Sequence, residues 1–266
     1  MPYSPDDAGN DTRAIRALLI LERIAQSGQP VTNSRLAQRL GIPKATLSRL
    51  LTALQDGGFI TRNVECDGYV VGPRATEMAL GTLRSAAFTR SCRTILRGLV
   101  QALGESCNLT ALDGDEVIHI ERVETSHALR LHVVPGSRHP LHCTAGGKLF
   151  LAMMPPHDRE ALITRLRLVR MTKHTLSSVD QLREALDKIN ERQVGIDDEE
   201  YIQGMIGIAV PVFNAQGAVT AAIVCHAAKA RADLADLLSH VSELRAAARE
   251  LSGLIYHRAQ GSVKAE

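Results

Sequence analysis

A chain of 266 residues with 45% hydrophobic content is long enough for two domains with separate cores, and 3% aromatic content without tryptophan argues against stacking single-stranded bases on ring platforms. A formal charge of +2 identifies no partner as an average, but its distribution is uneven. Between Thr12 and Arg62, eight cations (Arg13, Arg16, Arg23, Arg35, Arg39, Lys44, Arg49, Arg62) face two anions (Glu22, Asp56), so this segment carries +6 and the remainder −4, as expected for a duplex-binding module joined to a module with another task.

Residues 1–11 lack apolar periodicity and read as a flexible arm. From Thr12, the positions Ile15, Leu18, Leu19, Leu21, Ile24 and Ala25 predict a helix with a wide apolar stripe, closed by Gly28. Thr32 is placed to cap a second helix, Asn33 to Leu40, which Gly41 terminates in a tight turn. Ile42-Pro43 opens a third helix, in which Leu47, Leu50, Leu51 and Leu54 share a buried face. Its other face offers Lys44, Ala45, Thr46, Ser48 and Arg49, short or cationic groups able to approach base edges and phosphates. Alone, that pattern describes any amphipathic helix. The helix before it and the two short strands after it, Phe59 to Arg62 and Tyr69 to Gly72, turn it into a helix-turn-helix with a wing, Arg35, Arg62 and Arg74 lying within reach of phosphates.

AIRALLILERIA, LAQRLGIPKATLSRLLTALQDGGFI and GYVVGPRATEMAL together resemble the N-terminal winged helix-turn-helix of the IclR family of bacterial transcriptional regulators, and the resemblance extends over roughly Thr12 to Tyr256. It implies a two-domain α+β protein: a DNA-binding domain over 12–72, a linker helix within 73–90 with Met78, Leu80 and Leu83 on one side, a GAF-like effector-binding domain over 91–258 and a tail over 259–266. It also implies a homodimer or dimer of dimers on a palindromic operator, a small organic acid as effector, no cofactor and no catalysis.

In the second half, Ser91 to Gly104 predicts a helix, and the turn Asp113-Gly114-Asp115 joins strands Cys107 to Leu112 and Glu116 to Val123. Leu129 to Val134 reads as a further strand, then come helices at Ala145 to Met153, His157 to Leu166 and Val179 to Glu191. Strands Gly207 to Phe213 and Ala218 to Cys225 precede a single long helix from Arg231 to Tyr256. Hairpin strands with grouped helices predict an α+β sheet covered on one side.

His142-Cys143-Thr144-Ala145-Gly146-Gly147-Lys148 leads into a helix whose first amides suit a carboxylate or phosphate. A nucleotide-hydrolysing phosphate loop is rejected, because the earlier glycine is missing and Leu149 stands where a Ser/Thr would bind magnesium. A second candidate is Asp197-Asp198-Glu199-Glu200-Tyr201, whose four carboxylates alone read as a solvated turn. Carried over by position, the family resemblance instead places Ala145, Gly146, Asp197, Gly207, Val224 and His226 around the effector. Members that bind small keto acids such as glyoxylate have Cys where Gly207 stands and Ser where Val224 and His226 stand. The exchange implies a less polar pocket suited to an aromatic or longer-chain acid, unless His226 turns outward.

The five cysteines are scattered, with no CxxC pair, which fits a reducing cytoplasm. No apolar run approaches a membrane span. His132, His139, His142 and Cys143 have metal-ligand chemistry, but loop histidines more often hydrogen-bond, and no metal is expected. Pairing Cys143 with His142 or His226 as a nucleophile finds no supporting motif. The rival functions are a small-molecule enzyme with an appended helical domain and a ligand-independent DNA-binding protein.

Overall fold

The computed structural model describes residues 13–27, 29–63, 66–83 and 86–256. The arm, Gly28 and the tail fall outside them. The chain divides into two compact units, Met1–Ser85 and Ala86–Glu266.

In the first unit, α1 (Arg13–Ser27), α2 (Asn33–Leu40) and α3 (Lys44–Asp56) precede a two-stranded antiparallel wing, β1 (Ile60–Asn63) and β2 (Gly68–Val71), and α4 (Pro73–Leu83). Ile20, Ile24, Leu36, Leu47, Leu50, Leu51, Leu54 and Ile60 form its core. The α1 stripe is narrower than its sequence predicts: Ile20 and Ile24 are buried, whereas Ile15 and Leu18 are 39% and 58% exposed. Ala17 and Leu21 pack against the edge of this core and stay partly buried, so the buried stripe of α1 is confined to the side carrying Ile20 and Ile24. Met78 of α4 is likewise 59% exposed.

Local devices fix where α2 starts and stops. The Thr32 hydroxyl accepts from the Arg35 amide, and Gly41 adopts φ 62°, the left-handed conformation that stops α2 and that a side chain would strain. Pro43 occupies the cap of α3, one residue before the helix. The wing is anchored by backbone bonds between Val31 and Tyr69. Gly72 is compulsory there, since a Cβ would lie 2.4 Å from the Gly58 carbonyl oxygen.

In the second unit, α5 (Ala86–Leu103) leads to β3 (Ser106–Asp113), β4 (Glu116–Val123) and β5 (Arg138–Pro140). Then follow α6 (Ala145–Met153), α7 (Pro156–Ile163), α8 (Val179–Arg192), β6 (Gly195–Asp198), β7 (Met205–Phe213), β8 (Val219–Ala228), α9 (Leu234–Ser239) and α10 (Val241–Ile255). The six strands form one antiparallel sheet in the order β5-β4-β3-β8-β7-β6.

Helices cover both faces of this sheet, not one. Ile206, Ile208, Val210, Val212, Ile223 and Cys225 pack with α5, α9 and α10, whereas Ala209, Ala222 and Val224 pack with α6, α7 and α8. The central strands are apolar on both sides, so each face requires cover. Three further expectations are corrected. Leu129 to Val134 is irregular, and the short edge strand lies instead at Arg138–Pro140. The acidic run begins inside a strand, β6, with Asp197 opposite Gly207. The final helix is two helices, because an Asp233/Asp236 capping box starts α9 and His240 separates it from α10.

Candidate functional site

The outer face of α3 presents Lys44, Ala45, Ser48 and Arg49 to solvent with Thr46 half-buried, while its four leucines point into the core. Arg35 is exposed on α2. The other two arginines are engaged within the wing region. Arg62 is paired with Asp67, and Arg74 lies 5.0 Å above the Phe59 ring. Both remain exposed, so phosphate contact would require exchange of these partners.

The second site is a cavity on the α6 face of the sheet, with about 340 Å³ of unfilled space including its mouth. Val117, Leu131, Val133 and Val224 form an apolar wall, and Thr110, Thr144, His119, His139, Tyr201 and His226 supply polar groups. Gly146 lies at its base, where a Cβ would stand 3.3 Å from Thr110 Oγ1 and from a Val224 methyl group.

The amino end of α6 is built with care. Thr144 Oγ1 donates to the Pro140 carbonyl at 2.8 Å and accepts from the Gly147 amide at 3.2 Å. The amides of Ala145 and Gly146 belong to the first turn, which has no intrahelical acceptor. Gly147 is required because a Cβ would come within 2.4 Å of the Leu141 carbonyl oxygen, and Gly195 because a Cβ would come within 2.1 Å of that of Ala145.

Three of the six sequence-predicted effector residues, Gly146, Val224 and His226, line the cavity. Ala145 is fully buried beside it. Asp197 turns to its own chain: its carboxylate accepts from the Glu200 and Tyr201 amides at 2.8 and 3.3 Å and so positions Tyr201, which does line the cavity. Gly207 faces His226 across the strands, and a Cβ there would stand 2.9 Å from His226 Nδ1. The absent side chain makes room for the imidazole. Sequence reasoning did not single out His119, Thr110 or Val117 as site residues, and reached Tyr201 only as the end of the acidic run. Alternation along β3 and β4 would have grouped Thr110, Val117 and His119 only once the inner face was known.

Burial dominates the electrostatics. His119 is pushed down to about 3 by desolvation, with His139 and Arg122 adding to it. Burial also lowers His139, His142 and His226, the last strongly. Asp197 is pushed up to about 7 by burial, against the attraction of Lys148. Lys148, buried in α6, is paired with Glu200. Cys143 is pushed up to about 12 by burial, the opposite of an activated nucleophile. His142 Nε2 bonds the Val169 carbonyl and His132 bonds Glu124. Among the described residues, no group of three or more His, Cys, Asp or Glu is arranged to hold a metal ion, and no helix is long and apolar enough to cross a membrane.

Residues 14–64 match the family model described as the IclR helix-turn-helix domain, and residues 80–253 match that of the bacterial transcriptional regulator IclR C-terminal. The chain belongs to the IclR family of transcriptional regulators. Among IclR-type relatives, the probable transcriptional regulator SauR of Cupriavidus necator is 36% identical over 242 residues, covering 91% of this chain and 96% of SauR. The transcriptional repressor IclR of Escherichia coli is 33% identical over 201 residues, covering 75% and 73% of the two chains. The crystal structure of Thermotoga maritima IclR shares the fold, with a TM-score of 0.61, 24% identity and coverage of 91% and 98%. The inducer-binding domain of an Acinetobacter PobR double mutant, in complex with 3-hydroxybenzoic acid, superposes with a TM-score of 0.58 at 29% identity, covering 62% of this chain and 98% of that domain.

Proposed function

We propose that this IclR-type DNA-binding regulator senses a small organic acid with an aromatic or extended apolar body, and catalyses no reaction. The observation that carries the reading is the cavity, where the amino end of α6 faces a wall of Val117, Leu131, Val133 and Val224. An anion-favouring helix end beside an apolar surface is complementary to a carboxylate carried on a hydrophobic body. The likeness to an inducer domain that holds 3-hydroxybenzoic acid supports the aromatic choice. Thr110, Thr144 and Gly146 would surround the carboxylate, with Asp197 acting through Tyr201.

On the DNA side, Lys44 and Arg49 contact phosphate or guanine, and Ala45, Thr46 and Ser48 read base edges from the major groove. A single winged helix makes few base contacts, so a homodimer or dimer of dimers on a palindromic site supplies the remainder. The regulated genes are catabolic, and the protein is cytoplasmic. Effector binding changes operator affinity by a coupling of about 1–3 kcal/mol.

The test is thermal shift and operator binding by the full chain with 3-hydroxybenzoate and with glyoxylate. The aromatic acid is expected to raise the melting temperature and alter duplex affinity. A response to glyoxylate alone would overturn the aromatic assignment, and a response to neither acid would overturn the pocket assignment.

A further inference from the structure

Three imidazoles converge on this cavity. His119 and His139 meet edge to face, with ring centroids 4.8 Å apart, and His226 lines the same space. His119 is only 6% exposed, yet its Nδ1 has no hydrogen-bond partner. A buried ring nitrogen without a partner costs free energy unless a ligand supplies one.

The neighbouring cations are already committed. Arg122, next along β4, donates from Nη1 to Asn108 Oδ1 at 2.6 Å, from Nε to Glu124 at 3.2 Å and from Nη2 to the Leu131 carbonyl. Lys148 of α6 is held by Glu200. Arg138 of β5 is paired with Asp113 and lies 3.9 Å from Glu116, and Arg93 of α5 holds Glu121. Asp197 sits behind Tyr201. Among the described residues, no guanidinium or ammonium lines the cavity to neutralise an incoming carboxylate.

His139 can do so. Its Nδ1 is 2.8 Å from the Tyr201 hydroxyl and its Nε2 is 3.2 Å from the Ser137 hydroxyl. Hydroxyl oxygens accept as well as donate, so the ring can gain a proton and keep both bonds. Glu116 favours that proton, whereas burial and Arg122 oppose it in the empty cavity. A carboxylate placed among the rings would offset both opposing effects.

We propose that the cavity takes up one proton with its ligand, held on His139 while His119 Nδ1 hydrogen-bonds the carboxylate, and that it therefore selects monocarboxylic acids over dianions. The inference rests on the effector reading above and adds the charge class of the ligand and the proton that accompanies it.

The experiment is calorimetric titration of the full chain with 3-hydroxybenzoate and with terephthalate, at pH 7 and pH 8, in buffers of differing ionisation enthalpy. Uptake approaching one proton per monocarboxylate is expected, with affinity falling about tenfold from pH 7 to pH 8 and terephthalate binding at least tenfold more weakly. His139→Gln, which keeps a polar side chain near Tyr201, should retain weaker binding and lose the proton uptake. Binding of 3-hydroxybenzoate without proton uptake, or equal affinity for the dianion, would overturn this proposal and leave the effector reading standing. Unchanged uptake in a folded His139→Gln would overturn the assignment to His139. Absence of any binding heat at either pH would remove the effector reading and this proposal together.

Discussion

The helices α3 and α6 bring their function into being in opposite ways. α3 buries four leucines and leaves its polar face in water, so the groups proposed to touch DNA, apart from the half-buried Thr46, are exposed and cost the fold little. α6 is buried over Ala145–Ala152, including the charged Lys148, and offers a ligand only its amino end. A surface helix can therefore change its contacts without changing its stability. In an enclosed helix the two are coupled, since each group that could meet the ligand is also a packing or hydrogen-bonding partner of the core.

The comparison is tested most severely at Lys148. Lys148→Ala leaves Glu200 buried without its cation and should cost about 3–5 kcal/mol, read as loss of hydrogen-exchange protection in β6 and α6. The first unit should keep its protection, having its own core. On the buried side of α3, Leu51→Ala removes a side chain 1% exposed and should cost about 2–5 kcal/mol in the first unit, abolishing duplex binding by unfolding its scaffold. On the outer side, Arg49→Ala should leave the melting temperature within about 1 °C while weakening operator binding by roughly 1–3 kcal/mol and lowering its salt dependence. If Arg49→Ala melted the domain, the division of α3 into a structural face and a DNA face would be wrong.

This difference also governs what the sequence disclosed. The helix-turn-helix was legible because α3 is amphipathic and its boundaries are written in Thr32, Gly41 and Pro43. The two-sided sheet was misread as one-sided because β7 and β8 are apolar at nearly every position, which removes the alternation that assigns a strand to a face. The segment 129–134 has strand-like composition but runs without ladder partners, and its Leu131 and Val133 wall the cavity instead. Of the cavity, the glycine-rich entry to α6 was legible as a helix start with free amides, whereas Val224 and His226 were reached through family resemblance. His119 and Tyr201 depend on sheet register and on the Asp197 turn, which no local pattern reveals.

A pH series separates two buried groups of opposite sign. The folded-state value for Asp197, about 7, lies above its ordinary value of 3.8, so the folded chain binds more protons across that window. Its contribution is fully present below about pH 4 and is lost as pH rises through 7. Asp197→Asn, which keeps an oxygen acceptor for the Glu200 and Tyr201 amides, should therefore gain stability relative to the parent chain as pH rises from 4 to 7. His119 runs the other way. Its folded value of about 3 lies below the ordinary 6.5, so stability falls as pH drops from 6.5 toward 3. Urea unfolding of both chains across pH 4 to 8 isolates the Asp197 contribution, because His119 is common to both.

The smallest expected effect is the most direct comparison of the two helix starts. Thr144→Ala removes both the acceptor for the Gly147 amide and the donor to the Pro140 carbonyl, and should cost about 1 kcal/mol, whereas Thr144→Ser should restore most of it. α3 has no side-chain cap to lose: Pro43 contributes only its fixed φ, and Pro43→Ala should cost less than Thr144→Ala. Because Thr144 also lines the cavity, its alanine variant should lose affinity for an aromatic acid along with stability. Pro43→Ala, read by operator binding, should change affinity without changing the acid response. If Thr144→Ala lowered stability but left acid binding intact, the amino end of α6 would be a structural cap alone, and the carboxylate would have to be held by the imidazoles.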